Sequence, residues 1–272
     1  MKYKIGVCEW SLPVGGPTAV VMAAKMGFEG IQIGDLGGAT MGYPANNPAI
    51  QEAYMQAAEE NHVVLQSLHP YALQREGSML FPIDEPEGAR GKKDVEMCIL
   101  ACEAMGIDNI MLSSFFAAYI RNEWDFMAYA SQLKHACEFG KDHGVKVTFD
   151  SVLRPERILR MLNVCGENIG LCYDVVNPLR HGTGVPVEEL KTLLPYVDHF
   201  HIKDMPENMK GYSMIGEGSG QVQKAADVIN QSGYSGWLIS ENYYSTLSYE
   251  TGIDFLELGK KDIQNARRIF GF

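Results

Sequence analysis

FGKDHGVKVTF, residues 139–149, carries the boundary on which the fold is decided. A helical run ends at Gly144, and a β-branched apolar strand, VKVTF at 145–149, follows at once. A glycine there suits the left-handed C-cap of a helix, a conformation that strains any residue with a Cβ. The device recurs in AAKMGFEGIQI (23–33), ACEAMGIDNIML (101–112) and INQSGYSGWLIS (229–240), with Gly27, Gly106 and Gly233 in the capping place. In AAEENHVVLQSL (57–68), Asn61 stands where the glycine would be. The strands that follow, VVL (63–65), VKVTF (145–149) and IGLCY (169–173), are short and nearly continuous in apolar residues, as in parallel sheets covered on both faces.

Working outward, the spacing predicts eight strands: 3–8, 29–33, 63–68, 108–112, 145–149, 169–173, 197–202 and 236–240. Helical patterns lie near 17–26, 48–60, 86–105, 123–142, 155–164, 187–194, 219–231 and 253–269. Strand and helix alternate without a linker, so residues 1–272 read as one domain. Eight units in 272 residues is about 34 per unit, which fits an α/β (β/α)8 TIM barrel. A doubly wound open sheet is the weaker alternative, because no GxGxxG follows the first strand.

Composition narrows the function. The 272 residues carry 23 Lys and Arg against 34 Asp and Glu, a net charge of −11. That balance is the opposite of a nucleic-acid binder's. No uncharged apolar run reaches the ~18 residues of a membrane span. The opening MKYKIGVCEW is too short in apolar residues for a signal peptide, and the six cysteines show no disulfide framework. A cytoplasmic protein with reduced thiols, no nucleic acid and no membrane, is expected. Cys98 and Cys102 read as small buried residues on one helical face.

In a barrel of this kind the chemistry sits at the C-terminal ends of the strands. Strand 5 ends at Asp150, strand 6 at Asp174, strand 7 around His201 and strand 8 at Glu241. Three carboxylates converging on one rim repel one another, and a divalent cation is the simplest remedy. An oxygen-rich set with one imidazole suits Mn²⁺ first, with Mg²⁺, Co²⁺ and Zn²⁺ as alternatives. The bland reading is that Asp and Glu often end strands because they cap the next helix. His69, Lys203, Trp10 and Asn177 lie at the same rim. His69 would relay a proton or be structural, and Lys203 would steady a developing negative charge or form a salt bridge. Trp10 would form an apolar wall or pack in the core. The glycines of MIGEGSG (214–220) precede a helix, but Glu217 within the turn repels phosphate, which favours an unphosphorylated substrate.

The segments HFHIKD (199–204), CYDVVN (172–177), GEG (216–218) and WLISEN (237–242) resemble those of the xylose isomerase-like TIM barrels, a superfamily of sugar isomerases and epimerases with inosose dehydratases and DNA-repair endonucleases among its members. The resemblance covers the whole chain. It implies one divalent metal held by Asp150, Asp174, His201 and Glu241, with His199 as a rival to His201 that reads as a packed or hydrogen-bonded imidazole. Asp150 departs from the Glu usual there, although DSVLRPE (150–156) otherwise matches, placing Arg154 and Glu156 beside the substrate. The implied activity is isomerisation or epimerisation of a small keto-sugar or cyclitol through an enediolate, with Glu241, Asp150, His69 and Lys203 as catalytic candidates. The alternative is a lyase that eliminates from the same intermediate. A homo-oligomer is expected.

Overall fold

The computed structural model describes residues 2–272. Eight parallel strands close into a barrel in sequence order, with β8 returning to β1. They are β1 (Tyr3–Cys8), β2 (Gly30–Gly34), β3 (Val64–His69), β4 (Asn109–Ser113), β5 (Lys146–Asp150), β6 (Ile169–Asp174), β7 (Val197–Ile202) and β8 (Gly236–Ser240). The fold is therefore the (β/α)8 barrel that the glycine-terminated repeats predict, with strand bounds within one residue of those expected.

The capping chemistry works as read at four of five boundaries. Gly27, Gly106, Gly144 and Gly233 all have positive φ. The fifth differs. The helix Pro48–Asn61 keeps Asn61 in its last turn, where the side-chain amide bonds Ala57 O at 2.9 Å, and His62 takes the left-handed conformation at φ 56°. Two late helices also start after their predicted bounds, at Val222 and Phe255. Asp254 fixes the second start by accepting from Leu256 N at 2.9 Å, the usual N-cap role of aspartate.

The chain falls into two compact units. The first comprises the chain up to Gln32, Ala57–Val64 and Cys172–Phe272. Its apolar core is built on Tyr3, Phe200, Leu238 and Phe270, all fully buried. Phe200 packs edge-on against Tyr234 with ring centres 4.9 Å apart, a favoured aromatic geometry. The barrel lumen in this unit is tight at Gly6, where a Cβ would stand 2.6 Å from Ile239 Cδ1. The second unit, Ile33–Gln56 and Leu65–Leu171, buries Ile110, Phe126, Tyr129 and Phe149. Cys98 and Cys102 lie in this core as expected, and burial pushes both thiols well above their ordinary range. Among the described residues no helix is long and apolar enough to cross a membrane.

One polar group is set deep in the first unit. Asp262, on the helix Phe255–Phe270, is fully buried and accepts from Ile215 N (2.8 Å), Asn242 Nδ2 (2.6 Å) and Tyr244 Oη (3.1 Å). It ties that helix to the end of β8 and to the loop after β7. Burial outweighs these bonds and lifts its carboxyl from 3.8 to about 7. A carboxyl that holds its proton more tightly when folded opposes folding increasingly as pH rises between those two values. The stability of Asp262→Asn relative to the natural protein should therefore improve from pH 4 to pH 7, by up to roughly 4 kcal/mol. Denaturant unfolding at several pH values measures it, and a pH-independent difference would refute it.

Candidate active site

The functional corner of the first unit lies at the ends of β6, β7, β8 and β1. Alternation along β7 sends His199, His201 and Lys203 inward, on successive layers, while Phe200 and Ile202 face the helices. In register, His201 pairs with Ile239, and Ile239 with Gly6. Two residues further along each strand come Lys203, Glu241 and Cys8. One layer of the barrel thus gathers an ammonium, a carboxylate and a thiol.

The Lys203 ammonium bridges two carboxylates. Its Nζ is 2.9 Å from Asp174 Oδ2 and 2.6 Å from Glu241 Oε2. The Lys203 side chain is 3% exposed, Asp174 1% and Glu241 15%, so these charges hold one another out of water. Burial works against the charged form of each group. For Lys203 the two carboxylates overcome it and hold the ammonium well above its usual range. For Glu241, burial is overcome above all by Lys203, which holds the carboxyl well below the usual carboxylate range. Asp174 is raised by burial, with Lys203 opposing. Glu241 is therefore a largely buried, ionised carboxylate, and its other oxygen, Oε1, accepts from Trp10 Nε1 at 3.0 Å. The Trp10 ring also stands edge-on to His201, with centres 6.2 Å apart.

Asp174 fills the capping reading given to strand-end carboxylates. Oδ1 caps the following turn by accepting from Val176 N and Asn177 N, each at 2.7 Å, while Oδ2 faces Lys203. Asn177 is buried and opens the short helix Asn177–His181. His199 is a hydrogen-bonded core imidazole, as expected. Gln32 lies between the two histidines: its Nε2 is 2.9 Å from His199 Nε2 and its Oε1 is 2.6 Å from His201 Nε2. An amide oxygen only accepts, so His201 Nε2 carries the proton and Nδ1 is the basic nitrogen. That nitrogen lies 3.9 Å from Glu241 Oε2. Metal-binding histidines are usually oriented in this way, by a hydrogen bond from the other ring nitrogen.

The loop after β7 is organised by Asp204. Its carboxylate accepts from Met205 N (2.8 Å), Gly216 N (2.9 Å), Gly218 N (3.0 Å) and Gly220 N (2.8 Å). A Cβ on Gly218 would stand 2.5 Å from Asp204 Oδ1, and one on Gly220 2.7 Å, which is why glycine recurs here. The glycine amides are thus directed at an internal carboxylate, and Glu217 pairs outward with Lys261 at 2.8 Å. Beyond Glu241, Tyr243 stacks on Tyr212 with ring centres 4.8 Å apart, and the Tyr212 hydroxyl bonds Arg180.

The remaining candidates belong to the second unit. Asp150 ends β5 and is buried, and its backbone carbonyl accepts from Ser114 N at 2.9 Å. His69 ends β3, is buried, and donates through Nδ1 to Met111 O at 2.9 Å, so its Nε2 is the basic nitrogen. Arg154 and Glu156 are exposed around the start of the helix Pro155–Cys165. Sequence reasoning missed Gln32 and Cys8. The signal for Gln32 was its polar side chain inside the otherwise apolar strand GIQIG.

Among the described residues two groups bring three metal-competent atoms within 4.8 Å of one another: Cys8, His201 and Glu241; and Cys172, His199 and His201. A basic imidazole nitrogen beside an ionised carboxylate fits a divalent cation.

The comparisons with known proteins agree with this architecture. Residues 20–258 match the family model of the xylose isomerase-like TIM barrel. The chain belongs to that family. One relative, the 2-epi-5-epi-valiolone 7-phosphate 2-epimerase of Actinoplanes sp., is 27% identical over 235 residues, covering 85% of this chain and 84% of its own. A solved D-psicose 3-epimerase in the presence of D-fructose has a TM-score of 0.79 at 14% identity, covering 99% of this chain and all of the other. A solved IOLI protein with a bound zinc atom has a TM-score of 0.74 at 15% identity over 98% of each chain.

Lys203→Met keeps the length of the side chain and leaves two buried carboxylates without their cation. Removing one partner of a buried ion pair typically costs about 3–5 kcal/mol, and a loss of that size is expected in denaturant unfolding. Added Co²⁺ should restore more stability to the variant than it adds to the natural protein. A loss below ~1 kcal/mol, the range of exposed pairs, would show that the bridge does not carry the corner.

Proposed function

We propose that the protein is an isomerase or epimerase of a small keto-sugar or cyclitol, acting by removal of a proton next to a carbonyl, with Glu241 as the base. One observation carries the reading: a carboxylate held ionised and nearly buried at a strand end, beside an ammonium able to meet the charge that the reaction creates. The epimerase relative supports the same chemistry.

Glu241 is prepared for this role by its two contacts. Trp10 fixes Oε1, so Oε2 is the oxygen free to turn from Lys203 to a substrate C–H. Taking that proton leaves an enolate, and the Lys203 ammonium, two residues from His201 on the same strand face, donates a hydrogen bond to the enolate oxygen. As Glu241 becomes neutral, the ammonium loses one anionic partner and gains another, so the buried charge stays balanced through the step. Return of the proton to the opposite face of the same carbon inverts it; return to the adjacent carbon isomerises. His201 and Glu241, with Asp174 on the far side of Lys203, are the residues that would hold a divalent cation. Such a cation would polarise the carbonyl as a Lewis acid. Trp10, Tyr212 and Tyr243 offer flat apolar faces to a ring. The engagement of the loop amides by Asp204 leaves them no phosphate to grip and supports an unphosphorylated substrate.

The test is solvent deuterium incorporation into keto-sugars and inososes. Glu241→Gln retains the size of the side chain and one oxygen able to ligate. Exchange should fall by ~10²–10⁴-fold, the usual worth of a general base, while metal uptake persists. Near-natural exchange in the metal-loaded variant would assign the base to another residue.

A further inference from the structure

The geometry points to Cys8 as a sulfur ligand of the cation that this corner holds, making the site one for a thiophilic divalent ion such as Zn²⁺ or Co²⁺ rather than Mg²⁺ or Mn²⁺. The inference rests on the proposed metal-dependent reading and adds to it a donor from β1.

Register places the thiol. Val7 pairs with Ser240, so Cys8 is the next residue of β1, level with Glu241. On its other side Cys8 pairs with Gln32 of β2. The sulfur is fully buried, 3.4 Å from Gln32 Oε1; it stands 3.8 Å from the protonated Nε2 of His201, so the ion would take the same ring through Nδ1. Cys8, His201 and Glu241 come from three strands, and each offers an atom within 4.8 Å of the other two. Sulfur, nitrogen and oxygen from three rigid strands is the donor mixture of a borderline-soft ion. Mg²⁺ prefers an all-oxygen shell with several waters.

Charge separates this cluster from its neighbour. Cys172, His199 and His201 are also mutually close, but they supply at most one negative charge. The Cys8 cluster supplies a thiolate and a carboxylate, which together neutralise a dication away from water. Binding converts Cys8 Sγ–H and the dication into a sulfur–metal bond and a proton released to solvent. The ion then shares with Lys203 the neutralisation of Glu241 and Asp174. Gln32, accepting from both His201 Nε2 and the thiol, is the residue that sets both donors before the ion arrives.

Cobalt is the probe, because a thiolate bound to Co²⁺ gives an intense near-ultraviolet charge-transfer band that nitrogen and oxygen ligands do not. The metal-depleted full-length protein is titrated with Co²⁺, with uptake measured by equilibrium dialysis. The expected result is stoichiometric uptake with the band in the natural protein and in Cys172→Ser. In Cys8→Ser and Cys8→Ala the band should be absent, with folding checked by circular dichroism. Preference for Zn²⁺ over Mg²⁺ should fall on the order of tenfold or more in both Cys8 variants. Uptake without the band, or a band that survives both Cys8 substitutions, overturns the sulfur ligand and leaves the metal-dependent reading standing. No uptake of Co²⁺ overturns both.

Discussion

A buried ammonium shared by two carboxylates is the constraint around which the site is arranged. Neither Asp174 nor Glu241 can be ionised in so dry a place without a cation, and Lys203 cannot be buried without anions. Bridging distances of 2.9 and 2.6 Å satisfy all three at once. The bridge is possible because β6, β7 and β8 are neighbours in the barrel. The price in desolvation is met by a charge arrangement that chemistry can then exploit, since Glu241 is kept as the anion a base must be.

Behind this layer lies a second, built on two imidazoles and an amide between carboxylates. Asp198 Oδ1 faces His199 Nδ1 at 3.3 Å, Gln32 links His199 to His201, and His201 Nδ1 faces Glu241. Each link fixes the protonation of the next, so the basic nitrogen of His201 is set by a glutamine on another strand. A polar network in a barrel lumen is tolerable only when its members are satisfied. Gln32 meets that condition by using its amide in both directions.

A third layer holds the loops. Asp204 gathers four backbone N–H groups, and Asn242, next to Glu241, bonds Asp204 N, Ser213 O and Asp262 Oδ2. The residues flanking the reactive pair are thus occupied in tying the β7 and β8 loops to the last helix. Rigid support of this kind is what keeps a base and its partner within reach of one geometry. It also explains the depth of Asp262, whose burial is unfavourable for its charge but unites three elements.

The sequence by itself determined the barrel. Glycine after most of the helical runs and apolar strands after those glycines are local signals, and local chemistry sets strand and helix bounds to within three residues. It also determined which residues end the strands, because side-chain alternation is a property of one strand: Asp174, His201, Lys203 and Glu241 were all legible. At Asn61 the local signal erred by one place, because the asparagine side chain bonds back into its own helix and passes the left-handed turn to His62. What only the tertiary structure decided is pairing between strands. Whether Lys203 meets a loop carboxylate or bridges Asp174 and Glu241, whether Trp10 packs in the core or holds Glu241, and which thiol stands level with His201 depend on register across β1, β7 and β8. Register is fixed by contacts between residues far apart in the chain, such as Gly6 against Ile239, and no single segment carries that information.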